Sequence, residues 1–127
     1  DTSMIRGIVT ADREAVVSLV VYGARGRHRA IEAIIDTGFN GYLSLPQDVI
    51  KFLHLPWRKR GKAELADGTQ SLFDVYQGTL RWDRHRRSIP IDEAETFPLL
   101  GTALMEEYEL KVQFRAAGDV TIKRMRR

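Results

Sequence analysis

The sequence predicts a mainly β chain with two short helices. Its apolar residues fall mostly into short β-branched runs bounded by Gly, Asp or Asn, the pattern of many short strands. Only two stretches carry the spacing and punctuation of a helix. The length of 127 residues and the 43% hydrophobic content suit one compact domain over residues 1–127 and leave no room for a second. Taken together, these features predict a small barrel or sandwich.

The first run is Ile8-Val9-Thr10, followed by Val16 to Tyr22, which ends at the turn marked by Gly23 and Gly26. Arg29 to Ile35 is the next strand. It becomes fully apolar at its end, so its tip is expected to be buried where Asp36 follows, an unusual place for a carboxylate. Gly38 and Gly41 interrupt the strand, Tyr42 to Leu45 resumes it, and Pro46 suits the first turn of a helix. Val49, Ile50, Leu53 and Leu55 give that helix one apolar stripe, and Pro56 stops it. Ala63 to Ala66 and Ser71 to Tyr76 flank Asp67-Gly68-Thr69-Gln70 as a hairpin with Asp-Gly at its tip. Gly78 to Trp82 and Arg87 to Ile91 form a second hairpin around a basic turn. Thr102 to Tyr108 reads as the second helix, about two turns long. Leu110 to Phe114 and Asp119 to Ile122 then pair across Ala116-Ala117-Gly118.

Composition removes several chemistries. With no cysteine, thiol nucleophiles, thiolate metal sites and disulfides are all unavailable. No apolar run is long enough to span a bilayer and no signal peptide is visible, so no membrane segment is expected and a cytoplasmic location is read. Met4 is a candidate native start, which would set Asp1, Thr2 and Ser3 outside the fold as an appended remnant. His28, His54 and His85 lack metal-ligand spacing, so no metal is expected, and no cofactor motif is present. No Gly-x-Ser-x-Gly elbow surrounds any serine.

The sharpest signal is Ile34-Ile35-Asp36-Thr37-Gly38: a carboxylate at the end of an apolar strand, then a hydroxyl, then a glycine that permits close backbone approach. Alone, Asp-Thr-Gly is also what a plain turn looks like. Its surroundings, Phe39 to Pro46, give it a hydrophobic-hydrophobic-Asp-Thr-Gly-x-x-x-x-hydrophobic pattern that resembles the active-site loop of the retropepsin-like aspartic proteases. Downstream, Phe97 to Met105 with Leu110 and Phe114 resembles that family's hydrophobic-hydrophobic-Gly segment. Between the two, the Asp67-Gly68 hairpin stands where the family carries its flap.

The resemblance implies a small closed β-barrel of the acid-protease type and an aspartic endopeptidase active as a homodimer on a peptide or protein substrate. Asp36 would be the catalytic residue, one from each copy. Thr37 would fix the two loops across the dimer axis, and Gly38 would leave room for substrate backbone. Asn40 and Gly41 would hydrogen-bond an extended peptide, and the tip from Ala66 through Asp67, Gly68 and Thr69 to Gln70 would close over it. Leu100 and Gly101 would support the loop from below. Asp1-Thr2 is discounted as a second dyad member, because no strand precedes it.

The chain departs from the retroviral pattern at Phe39-Asn40-Gly41, which replaces a small-acidic-acidic run, and at Thr102, which stands where those enzymes carry Arg; both resemble cellular and bacterial branches. The basic C-terminus, Lys123 to Arg127, would repel its own copy across a two-fold axis, so how two chains join is left open. Two rival readings stand beside the protease. Arg58-Lys59-Arg60, Arg84-His85-Arg86-Arg87 and the C-terminal basic run, with Trp57 and Trp82 nearby, suggest a nucleic-acid surface, but a net charge of +3 favours a solvated face and no nucleic-acid partner. The alternative from another class is a non-cleaving peptide-binding or dimerisation module on the same fold.

Overall fold

The computed structural model describes residues 4–126; the expected remnant Asp1–Ser3 and the last residue of the basic terminus, Arg127, lie outside them. Along the chain run β1 (Met4–Val9), β2 (Ala15–Tyr22), β3 (His28–Ile35), β4 (Leu43–Leu45), α1 (Gln47–Leu53), β5 (Trp57–Glu64), β6 (Gln70–Trp82), β7 (His85–Glu93), β8 (Leu99–Leu100), β9 (Tyr108–Val112) and β10 (Asp119–Arg124). The strands hydrogen-bond in the order β5-β6-β7-β4-β8-β3-β2-β1-β10-β9. β6 also pairs with β2, through Val21 opposite Leu80 and Tyr22 opposite Thr79, so the pairings from β2 through β8 to β7 return on themselves.

Alternation along the strands decides which side chains go inside. Val17, Leu19 and Val21 of β2, Ile31 and Ala33 of β3, and Ile89 and Ile91 of β7 all face one core, together with Leu43, Leu45, Leu80, Leu100, Leu104 and Ile122. Helix α1 contributes Val49, Ile50 and Leu53 to the same core. Its start lacks a capping side chain of its own, because Pro46 stands at the N-cap. Glu95 Oε1 accepts the Gln47 N–H at 3.0 Å, and Asp48 in the first turn complements the helix dipole. The helix ends two residues earlier than its apolar stripe suggests: His54 takes a left-handed conformation as C-cap, and Leu55 is buried beyond it.

Two expectations need correction. Among the described residues α1 is the one helix, and Thr102 to Glu107 forms successive turns. The Thr102 and Ala103 N–H groups donate to the carbonyls of Phe39 and Gly41, the following bonds span three residues (Leu104 to Gly101, Met105 to Thr102), and Glu107 sits at φ 73°. The bonds within the segment thus reach back three residues rather than four, and the left-handed Glu107 ends the run before an α-helical turn is completed. The second hairpin also differs: Gly78 does not open a new strand but lies within β6, which runs 13 residues and ends in a two-residue turn, Asp83-Arg84, with positive φ at both.

No helix among the described residues is long and apolar enough to cross a membrane. Trp82 is 3% exposed and packs edge-on against Tyr108 at 5.6 Å, so it is no platform for a base. Leu43, fully buried, joins β4 to both β7 and β8. Leu43→Ala is therefore expected to lower the unfolding free energy by about 2–5 kcal/mol, read from urea denaturation.

Candidate functional site

Asp36 follows β3 directly, and its backbone continues the strand's pairing. Ile34 and Ile35 lie parallel to Leu99 and Leu100, and the Asp36 N–H donates to the Leu100 carbonyl at 2.9 Å. β8 also runs antiparallel to β4, through Leu43 opposite Leu100 and Ser44 opposite Leu99, so Leu99-Leu100 is inserted between the strands that enter and leave the loop. The Gly38 N–H donates to Asp36 Oδ1 at 2.9 Å, and the Phe39 N–H donates to the Asp36 carbonyl at 3.1 Å. One carboxylate oxygen is thus held by the loop's own backbone, which fixes where the other faces. Asp36 is half-buried in this chain, not buried as its apolar lead-in predicts; Thr37, Gly38 and Asn40 are exposed.

The loop is tied from below at three further points. The Gly101 N–H donates to the Tyr42 carbonyl at 3.0 Å, the Thr102 N–H to Phe39 at 2.9 Å and the Ala103 N–H to Gly41 at 3.1 Å. This contact is so close that a Cβ on Gly101 would stand 2.2 Å from the Gly41 carbonyl oxygen and 2.7 Å from that of Phe39. Both obstacles are backbone, so glycine is required there.

Beside the loop lies a cleft of about 800 Å³, lined by Gly38 to Gly41 on one side and by Lys62 to Glu64 with Ser71 to Phe73 on the other. Ser44, Asp92, Glu93, Ala94, Thr96 and Leu99 complete its lining. The structure therefore brings Gly38, Asn40 and Gly41 together in one cavity wall. Asp36 and Thr37 precede that wall, and Leu100 and Gly101 lie beneath the loop, where the Leu100 side chain is fully buried. Ala66 to Thr69 form the exposed tip of the β5–β6 hairpin, whose stem rather than tip borders the cleft. Gly68 sits at φ 86°, and Asp67 Oδ1 accepts the Thr69 N–H at 2.9 Å and its hydroxyl at 2.6 Å. The side-chain bond from Thr69, seconded by its backbone bond, holds the Asp67 carboxyl below the ordinary range.

Sequence reasoning missed Asp92 and Glu93. Glu93 accepts the Tyr76 hydroxyl at 3.1 Å; burial first, and that carboxylate second, push the Tyr76 phenol above its ordinary range. Burial likewise raises Asp92, and the Lys59 charge offsets this only in part. The signal for Asp92 in the sequence is slight: it is one polar residue ending the alternation of β7, and only the fold reveals that its face lines a cavity.

Two outcomes follow from this geometry. Gly101→Ala is expected to cost at least about 2 kcal/mol, seen as a lower urea midpoint. Asp92 has a raised carboxyl in the native state, so its contribution to stability is full below the unfolded carboxyl range and is lost as pH rises through the native one. Unfolding followed across acidic pH should show this decline in the native sequence and a flatter profile in Asp92→Asn.

No protein-family model matches the sequence, and no curated protein is significantly similar to it. Among solved structures, the chain is similar to the crystal structure of a retropepsin-like aspartic protease from Rickettsia conorii, with a TM-score of 0.63 over 98% of this chain and 92% of that one, at 12% sequence identity. At that identity the likeness is one of fold alone.

Proposed function

We propose that this chain is an aspartic endopeptidase that works as a homodimer, each copy supplying one Asp36. The observation that carries the reading is the Asp36-Thr37-Gly38 loop, with its carboxylate held by the Gly38 N–H at the end of β3 and its backbone pinned to Leu100, at the edge of a large cleft. The likeness in fold to a retropepsin-like aspartic protease supports the same conclusion.

The chemistry needs two such carboxylates. At a separation of about 3 Å they cannot both ionise, so one keeps a proton while the other acts as base. The ionised Asp36 takes a proton from a water, whose oxygen attacks the peptide carbonyl carbon. The protonated Asp36 of the other copy hydrogen-bonds the carbonyl oxygen as charge develops on it. Proton transfer to the leaving nitrogen then breaks the C–N bond without a covalent enzyme intermediate. In this reading Thr37, exposed next to Asp36, bonds across the two-fold axis. On the same reading Asn40 and the Gly41 backbone, which line the cleft, hydrogen-bond an extended peptide, and the Ala66–Thr69 tip, carried on the hairpin whose stem borders the cleft, closes over it and excludes water. Half-burial of Asp36 in one chain suits this arrangement, since the second copy completes its desolvation.

The exposed Arg58, Lys59, Arg60 and Lys62 lie along the edge strand β5, where Arg60 pairs with Asp74 at 3.1 Å; they serve as a solvated face. The purified protein is expected to cleave an unstructured protein at mildly acidic pH, to be blocked by a statine-type peptide, and to have twice the chain mass in solution. Asp36→Asn should lower the cleavage rate at least about a thousandfold. Wild-type cleavage by Asp36→Asn would refute the assignment. A stable dimer that binds peptide but never cleaves it would favour the non-cleaving module.

A further inference from the structure

We propose that Asp92 anchors a subsite that selects a positively charged side chain, Lys or Arg, from the peptide lying in the cleft. The inference rests on the reading of that cleft as a peptide-binding site and adds the chemical class of residue it prefers.

Position is the first support. Asp92 belongs to β7, between β6 (Val75 opposite) and β4 (Ser44 opposite). Ile89 and Ile91 face the core with no exposure, so alternation turns Asp92 to the other side of the sheet, into the cleft wall. It abuts the candidate loop: a Cβ built on Gly41 would be 3.2 Å from Asp92 Oδ2. An extended peptide running along Gly38 to Gly41 points alternate side chains toward the two walls of its groove. One of them is thereby directed at this carboxylate.

Chemistry is the second. Asp92 is half-buried, yet among the described residues it has no hydrogen-bond donor and no ion-pair partner within bonding distance. Removing a carboxylate from water without giving it a donor is unfavourable, and its raised carboxyl reflects that. The cations nearest the site are poor substitutes. Lys59 acts on it only through its field, from across β6, and Lys62 lies on the exposed edge strand. Of the other charged groups lining the cleft, Glu64 and Glu93 are acidic and Lys62 is basic, so with Asp92 an incoming ammonium or guanidinium meets three carboxylates against one cation. Phe39 and Phe73, which also line the cavity, suit the long aliphatic stem of Lys or Arg.

The test uses pairs of peptides identical except for Lys or norleucine at one position, scanned along the sequence. Binding is measured to the full-length Asp36→Asn protein, and cleavage by the protein with Asp36 intact. At neutral pH the Lys peptide is expected to bind about tenfold tighter at one position. The preference should fall towards unity in Asp92→Asn and shift towards a Glu peptide in Asp92→Lys. In the unsubstituted chain it should decline as acid protonates Asp92, Glu64 and Glu93, while Lys59 and Lys62 stay charged. Equal binding of the paired peptides at every position, or a Lys preference that persists in both Asp92 variants, overturns the inference. Binding with the expected preference but without any cleavage would uphold Asp92 and reject hydrolysis, so the two claims fail separately.

Discussion

Everything about the candidate site depends on a two-residue strand. Leu99 and Leu100 lie between β3 and β4, and through them the entrance and exit of the Asp36 loop are joined by backbone hydrogen bonds alone. The Leu100 carbonyl receives the Asp36 N–H, and the N–H groups of Gly101, Thr102 and Ala103 are given to Tyr42, Phe39 and Gly41. Each such bond is individually worth only about 1 kcal/mol net, but together they leave the loop little conformational freedom. A carboxylate at a strand end is ordinarily mobile and solvated. Here its backbone is fixed at both sides and one of its oxygens is engaged by Gly38, which is the preorganisation that the proposed proton transfer requires.

The same constraint shapes the cleft. Because Gly101 admits the loop backbone at a distance no side chain would allow, Phe39 to Gly41 lie low over the sheet and form a wall instead of a protruding turn. The opposite wall is the β5–β6 hairpin, whose strand β5 is exposed along most of its length. One wall is therefore pinned to the core and the other is anchored only along β6, an asymmetry that the proposed binding of an extended chain would use.

The parts of this arrangement that were legible in the sequence are local ones. An apolar strand running into Asp-Thr-Gly marks its own end, and the Val49, Ile50 and Leu53 spacing marks its own helix. What escaped depends on residues far apart in the chain. Thr102 to Tyr108 has the composition of a helix, but the segment is tied to carbonyls some sixty positions earlier, its own bonds reach back only three residues, and the left-handed Glu107 ends it. Arg58 to Arg60 reads as a charge run at a turn, yet an edge strand tolerates such charge because one of its sides needs no partner. Gly78 looks like a strand boundary and lies in the middle of β6, because β6 exchanges one neighbour for another there, from β5 to β2. Asp92 is an ordinary outward-facing residue until the ring of pairings places its face in the cleft.

The central claim is that two Asp36 side chains meet across a symmetry axis and act on one bond. A crystal structure of the protein with a statine-type peptide tests it most directly. The account predicts two chains around one inhibitor, with the statine hydroxyl within hydrogen-bonding distance of both Asp36 carboxylates. An inhibitor-bound chain that is monomeric, or a dimer whose Asp36 side chains face away from each other and from the inhibitor, would contradict it.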